Sequence, residues 1–181
     1  MGQNKSEVSA GCDPILSELV YCLENIECVS IFENHRGQPQ SEQGKLVRHF
    51  QNLVKAQLQS QTGLLKNVDW EQERRPIPDQ GDSVDIFGTG ANFVVAIELD
   101  AHRADQVAKK FVSRMALLPI DKTIYYVSLC YPGTKRMSKM ECKKYFGYCS
   151  LLARRMGTHY AGIFVGQPTA VTISPTSITP S

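Results

Sequence analysis

The stretch Ser83–Asp100, SVDIFGTGANFVVAIELD, decides the fold. Ser83–Phe87 reads as a short strand and Gly88-Thr89-Gly90-Ala91-Asn92 as a tight connection. Phe93–Asp100 is the strongest strand signal in the chain, a run of aromatic, β-branched and apolar residues bounded by turn formers. Two such runs so close together predict an antiparallel hairpin. The Gly88-Thr89-Gly90 segment is too short for a phosphate-binding loop and precedes a strand, so it reads as the hairpin turn.

Downstream, Arg103–Leu118 has helical spacing, with Val107, Phe111, Met115 and Leu118 on the buried stripe and Pro119 as the stop. Thr123–Cys130 (TIYYVSLC) reads as a strand, Lys135–Arg155 as a basic helix and Tyr160–Val165 as a final strand. Upstream, Asp13-Pro14 starts a helix, because Asp accepts from free N–H groups and Pro fits the first turn. Asn34–Gln43 reads as a polar loop. Ser41 is the expected cap of a second helix ending near Gly63, and Leu65–Arg74 a strand or irregular edge. The first dozen residues read as a frayed, flexible terminus and the uncharged tail, residues 166–181, as disordered, leaving 13–165 as a single domain. Hairpin first and helical crossovers after give an α/β class, with a mixed central sheet and flanking helices.

Composition agrees with a globular chain: of 181 residues, 42% are hydrophobic and 21% charged, which excludes disordered and coiled-coil classes. No apolar run approaches a membrane span, and the polar N-terminus has no secretory core, so the expectation is a cytoplasmic protein with reduced thiols at its six cysteines. Met1-Gly2-Gln3-Asn4-Lys5-Ser6 fits the myristoylation pattern, a short motif met often by chance and given little weight.

Asp85, Glu98 and Asp100 sit in or at the ends of apolar strands, where a charge is costly without a partner. Glu98 and Asp100, two apart, share one face of an extended strand. With Asp85 on the neighbouring strand, three carboxylates converge, and a divalent cation relieves their repulsion. Oxygen ligands favour Mg²⁺ or Mn²⁺ over zinc. Taken singly, each is equally a solvated strand-end residue, and Asp100 a cap for the helix that follows.

Val84-Asp85, the strand ending Ile97-Glu98-Leu99-Asp100, and the Gln- and Lys-bearing helix beyond it resemble the PD-(D/E)XK nuclease superfamily, the restriction-endonuclease-like phosphodiesterases. The resemblance extends over roughly residues 40–165, whose element order matches the αβββαβ core of that fold. It implies that Asp85 and Glu98 are metal ligands, that the Leu99 carbonyl faces the metal, and that Asp100 stands where the family usually has lysine. In some members the lysine comes instead from the following helix. Here that helix carries Gln106, Lys109 and Lys110, and its periodicity puts Lys110 on the border of the buried stripe, in line with Arg103 and Arg114. Lys110 is then the better candidate for the site, with Gln106 beside it, and Lys109 points away. The implied activity is Mg²⁺- or Mn²⁺-dependent hydrolysis of DNA, with Lys110 or Asp100 assisting the attacking water. The departure at Asp100 keeps open a catalytically inactive, nuclease-like module that binds nucleic acid or a protein.

Charge is divided along the chain. Residues 1–100 hold 8 basic and 15 acidic residues, whereas 101–181 hold 12 basic and 3 acidic. Such a split suggests an anionic partner for the second half, or two halves that attract each other. Arg103, Lys109, Arg114, Lys135, Arg136, Lys139, Lys143 and Lys144, with tyrosines between, are the expected nucleic-acid-binding residues. A homodimer, or a place in a larger complex, fits a double-strand cutter.

Overall fold

The computed structural model describes residues 13–26, 28, 31, 38–79, 81–131, 137–165 and 171–173, the last three as backbone alone. The described elements are α1 (Pro14–Glu24), α2 (Gln40–Gln59), β1 (Asp69–Arg74), β2 (Val84–Thr89), β3 (Phe93–Asp100), α3 (Asp105–Met115), β4 (Thr123–Cys130), α4 (Lys139–Arg155), β5 (His159–Phe164) and β6 (Val171–Ile173). The six strands form one sheet in chain order. β1, β2 and β3 run antiparallel, β3, β4 and β5 parallel, and β6 antiparallel to β5. This is a mixed α/β fold.

Helices cover both faces, so the central strands are apolar on both sides. Leu16, Leu19 and Leu23 of α1 and Phe50, Val54 and Leu58 of α2 pack with Val95, Ile97, Val127 and Ile163. On the opposite face, Val107 and Phe111 of α3 and Cys142 and Phe146 of α4 pack with Val94, Ala96, Tyr126 and Tyr160. Glu98 and Asp100 continue the Val94–Ala96 side of β3, which brings them under α3.

Asp13 caps α1 as expected, its Oδ1 accepting from the Ile15 and Leu16 N–H groups. α2 differs from expectation at both ends. Pro39, at φ −54°, precedes its first residue with no side-chain cap, so Ser41 lies inside the helix. The helix stops at Gln59 with Ser60 as its C-cap, and in the segment that follows Glu18 of α1 accepts from the Leu64 N–H at 2.8 Å. β2 runs through Gly88 to Thr89, and the turn closes with Gly90 N–H donating to the Phe93 carbonyl at 2.9 Å. Gly88 belongs in the strand because a Cβ there would lie 2.6 Å from the Trp70 ring.

Val171–Ile173, within the tail expected to be disordered, instead forms a strand on β5, as its β-branched residues favour. The rest of that tail, the first twelve residues with the myristoylation match, and the expected start of α4 at Lys135 lie outside the described residues. Cys22, Cys130, Cys142 and Cys149 are buried free thiols, and Cys28 is buried as well. Among the described residues, no helix is long and apolar enough to cross a membrane.

Candidate functional site

The site forms where the hairpin opens. β2 and β3 pair through Ile86↔Ile97, after which the Asp85 carboxylate takes over from backbone pairing: its Oδ2 accepts from the Leu99 N–H at 2.7 Å. Beside it the β1–β2 ladder is distorted at Glu73, whose φ of 51° is costly for any residue but glycine. Glu73 is held by its side chain, Oε1 accepting from Gln51 Nε2 and Oε2 from Ser83 Oγ, each at 2.7 Å. Gln51, buried on α2, also places its Nε2 3.5 Å from Asp85 Oδ1.

From the other side α3 contributes two cations, one turn apart. Lys110 Nζ lies 3.0 Å from Glu98 Oε2, 3.2 Å from Asp100 Oδ1 and 3.5 Å from Asp85 Oδ2. It also donates to the Leu99 carbonyl at 3.1 Å. Arg114 Nε donates to Glu98 Oε1 at 2.8 Å, and its outer nitrogen bonds Asp82. Glu98 is fully buried, and its Oε2 faces the ammonium without a well-directed hydrogen bond. Asp100 Oδ2, also buried, has no hydrogen-bond partner among the described residues.

Burial, and then the neighbouring Asp85 charge, push the Glu98 carboxyl up to about 7 against the pull of Lys110 and Arg114. Burial likewise raises Asp100, with Lys110 opposing. Burial works against the Lys110 ammonium, but the carboxylates of Asp85, Glu98 and Asp100 outweigh it and hold its pKa above the ordinary lysine range. The cluster opens beside Asp85 into a cleft of about 470 Å³, lined among others by Arg48, Gln43, Gln72 and His102.

Asp85, Glu98, Asp100, the Leu99 backbone and Lys110 thus meet at one point. Gln106 does not join them, because its amide turns to Asp105 at 3.3 Å. Arg114 departs from its expected place on a nucleic-acid surface: it is 7% exposed, drawn inward by Glu98. Arg103 is exposed but doubly bonded to Asp105, and Lys109 is exposed. On α4, Lys139 is half-buried, while Lys143 and Lys144 are exposed, Lys144 lying 5.3 Å from the centre of the Tyr145 ring. Lys135 and Arg136 lie outside the described residues. Of the tyrosines expected among these charges, Tyr125, Tyr126 and Tyr131 are core residues, and Tyr148 is exposed.

Sequence reasoning missed Gln51, Glu73 and Asp82. Gln51 left a signal: it is polar, yet lies on the same stripe as Val47, Val54 and Leu58 of α2. Among the described residues, no three His, Cys, Asp or Glu side chains form a ready metal-holding group. Compared with known proteins, the chain matches no protein-family model, no curated protein and no solved structure.

Proposed function

We propose that the chain is a metal-dependent phosphodiesterase acting on nucleic acid, with DNA as its substrate, on a restriction-endonuclease-like core. The observation that carries this reading is the convergence of Asp85, Glu98 and Asp100 around Lys110 Nζ, all within 3.5 Å of it. The donor set is chemically suited to a hard divalent cation, being carboxylate and carbonyl oxygen, and the unpartnered Asp100 Oδ2 leaves acceptor capacity to spare. Asp85, Glu98, Asp100 and the Leu99 carbonyl would hold Mg²⁺ or Mn²⁺. When bound, such an ion polarises a phosphate and lowers the pKa of a coordinated water.

The remaining work falls to the chain's own groups. Lys110 or Asp100 would orient the attacking water, Asp100 would take its proton, and the Lys110 ammonium would stabilise charge growing on the phosphate. Arg114, which bonds Glu98 at 2.8 Å, is a positioning residue for that carboxylate. Arg48 in the cleft, with Lys143 and Lys144 on α4, supplies positive charge for phosphates.

The test is a cleavage assay on plasmid and single-stranded DNA with Mg²⁺ or Mn²⁺, with EDTA and Glu98→Ala as controls. Metal-dependent nicking, lost in both controls, is the expected result. Nicking that survives Glu98→Ala would sink the proposal.

One observation favours a second reading. Two cations, Lys110 and Arg114, already neutralise much of the cluster, as in a site kept for shape alone. A catalytically inactive nuclease-like module would bind nucleic acid or a protein partner through its basic surface. It predicts salt-sensitive DNA binding that persists in chelator, with no cleavage in any divalent metal.

A further inference from the structure

We infer that Lys110 is a built-in competitor for the divalent cation: its ammonium holds the oxygens of Asp85, Glu98, Asp100 and Leu99 in the absence of metal and leaves them when metal binds. The inference rests on the proposed metal centre and deepens it by assigning its control to one side chain.

The coordination around Nζ carries the argument. Four oxygens from four residues surround it at 3.0–3.5 Å, and they are the donors the nuclease reading assigns to a metal ion. An ammonium has three hydrogens to offer. Four acceptors exceed that number, and Glu98 Oε2, 3.0 Å away, is left without a well-directed bond. The cradle therefore provides more oxygen than a lysine can use. Its span also suits nitrogen: the oxygens stand about 1 Å further out than Mg²⁺ accepts, so they must close in once the ammonium has gone.

Charge points the same way. With their carboxylates ionised, Asp82, Asp85, Glu98 and Asp100 face Lys110 and Arg114 with two negative charges in excess, and a dication in place of the ammonium would halve that excess. The two cations differ in freedom. Arg114, its side chain 9% exposed, is clamped between Glu98 and Asp82, whereas the Lys110 side chain is 28% exposed on a flexible four-carbon stem. Lys110 can swing outward without any movement of α3. Released beside the cluster, it becomes available to the phosphate and the water, so one movement opens the cation site and arms it.

The experiment is Mn²⁺ binding, followed by calorimetry, in the wild-type chain, in Lys110→Met and in the exposed control Lys66→Met. Lys110→Met should bind Mn²⁺ at least about tenfold more tightly, with Lys66→Met unchanged. Equal or weaker binding by Lys110→Met, beside a wild type that binds, would overturn the competition and leave the metal centre standing. Absence of Mn²⁺ binding in every protein would overturn both. Because Lys110→Met leaves three carboxylates facing one arginine, a second measurement uses the wild type alone. Acetylation of Lys110 by an amine-reactive ester, read by mass spectrometry, should speed up about fivefold on adding Mn²⁺, with Lys66 unaffected. A Lys110 rate that ignores Mn²⁺ defeats the inference.

Discussion

Glu98 is the residue at which burial and charge conflict most. It lies under α3 with its two oxygens shared between Lys110 and Arg114, and it takes up a proton far more readily in the folded chain than in the unfolded one. Between about pH 4.5 and about pH 7 the folded state therefore holds more protons, and stability falls as pH rises, levelling off above that window. The loss attributable to Glu98 should be on the order of 3 kcal/mol. Urea denaturation across this range should give a shallower decline for Glu98→Gln than for the wild type, and identical slopes would remove Glu98 as the cause. At this scale much of the cluster was legible in the sequence. Strand alternation put Glu98 and Asp100 on one side, and the helical period turned Lys110 toward them. Arg114 lay on the same ridge, but its inward direction was hidden, because a helix projection gives an angle and not the acid waiting across the gap. Gln51 and Glu73 were hidden for a related reason: their partners lie on other elements, and the left-handed backbone at Glu73 has no local sequence signature.

Among the elements, β3 and β4 could be read to the residue, since strands buried on both faces are written as unbroken apolar runs between turn formers. Helix ends were less legible: α2 starts after Pro39 with no side-chain cap and stops at Gln59, where no adjacent glycine or proline announces the end. The β5–α4 contact shows how closely the layers meet. Gly162 has no side chain, and the Phe146 ring occupies the space a Cβ would need. A methyl group there forces the ring, and α4 with it, away from the sheet. Gly162→Ala should cost about 1–3 kcal/mol. A urea midpoint unchanged from wild type would mean that α4 shifts freely and that its packing is softer than the geometry implies.

For the molecule as a whole, the excess of acid before residue 100 and of base after it takes a spatial form: carboxylates gather at the β2–β3 opening, and exposed lysines ride on α4. If α4 carries phosphate contacts, replacing Lys143 and Lys144 together by glutamate should weaken DNA binding and flatten its salt dependence, the logarithmic slope dropping by about 2. Fluorescence anisotropy across a salt series measures this, and an unaltered slope would move the nucleic acid to the Arg48 side. The fold class was legible because the hairpin and the crossovers lie in sequence order. That order has a consequence during synthesis. Each strand of the sheet docks on the one made just before it, so a nascent chain leaving the ribosome can lay down the sheet from one edge to the other without waiting for distant segments. The residues of the acidic cluster all lie between Gln51 and Arg114, and the lysines of α4 come later. The cell thus builds the acidic cluster first and the lysine-bearing helix afterwards.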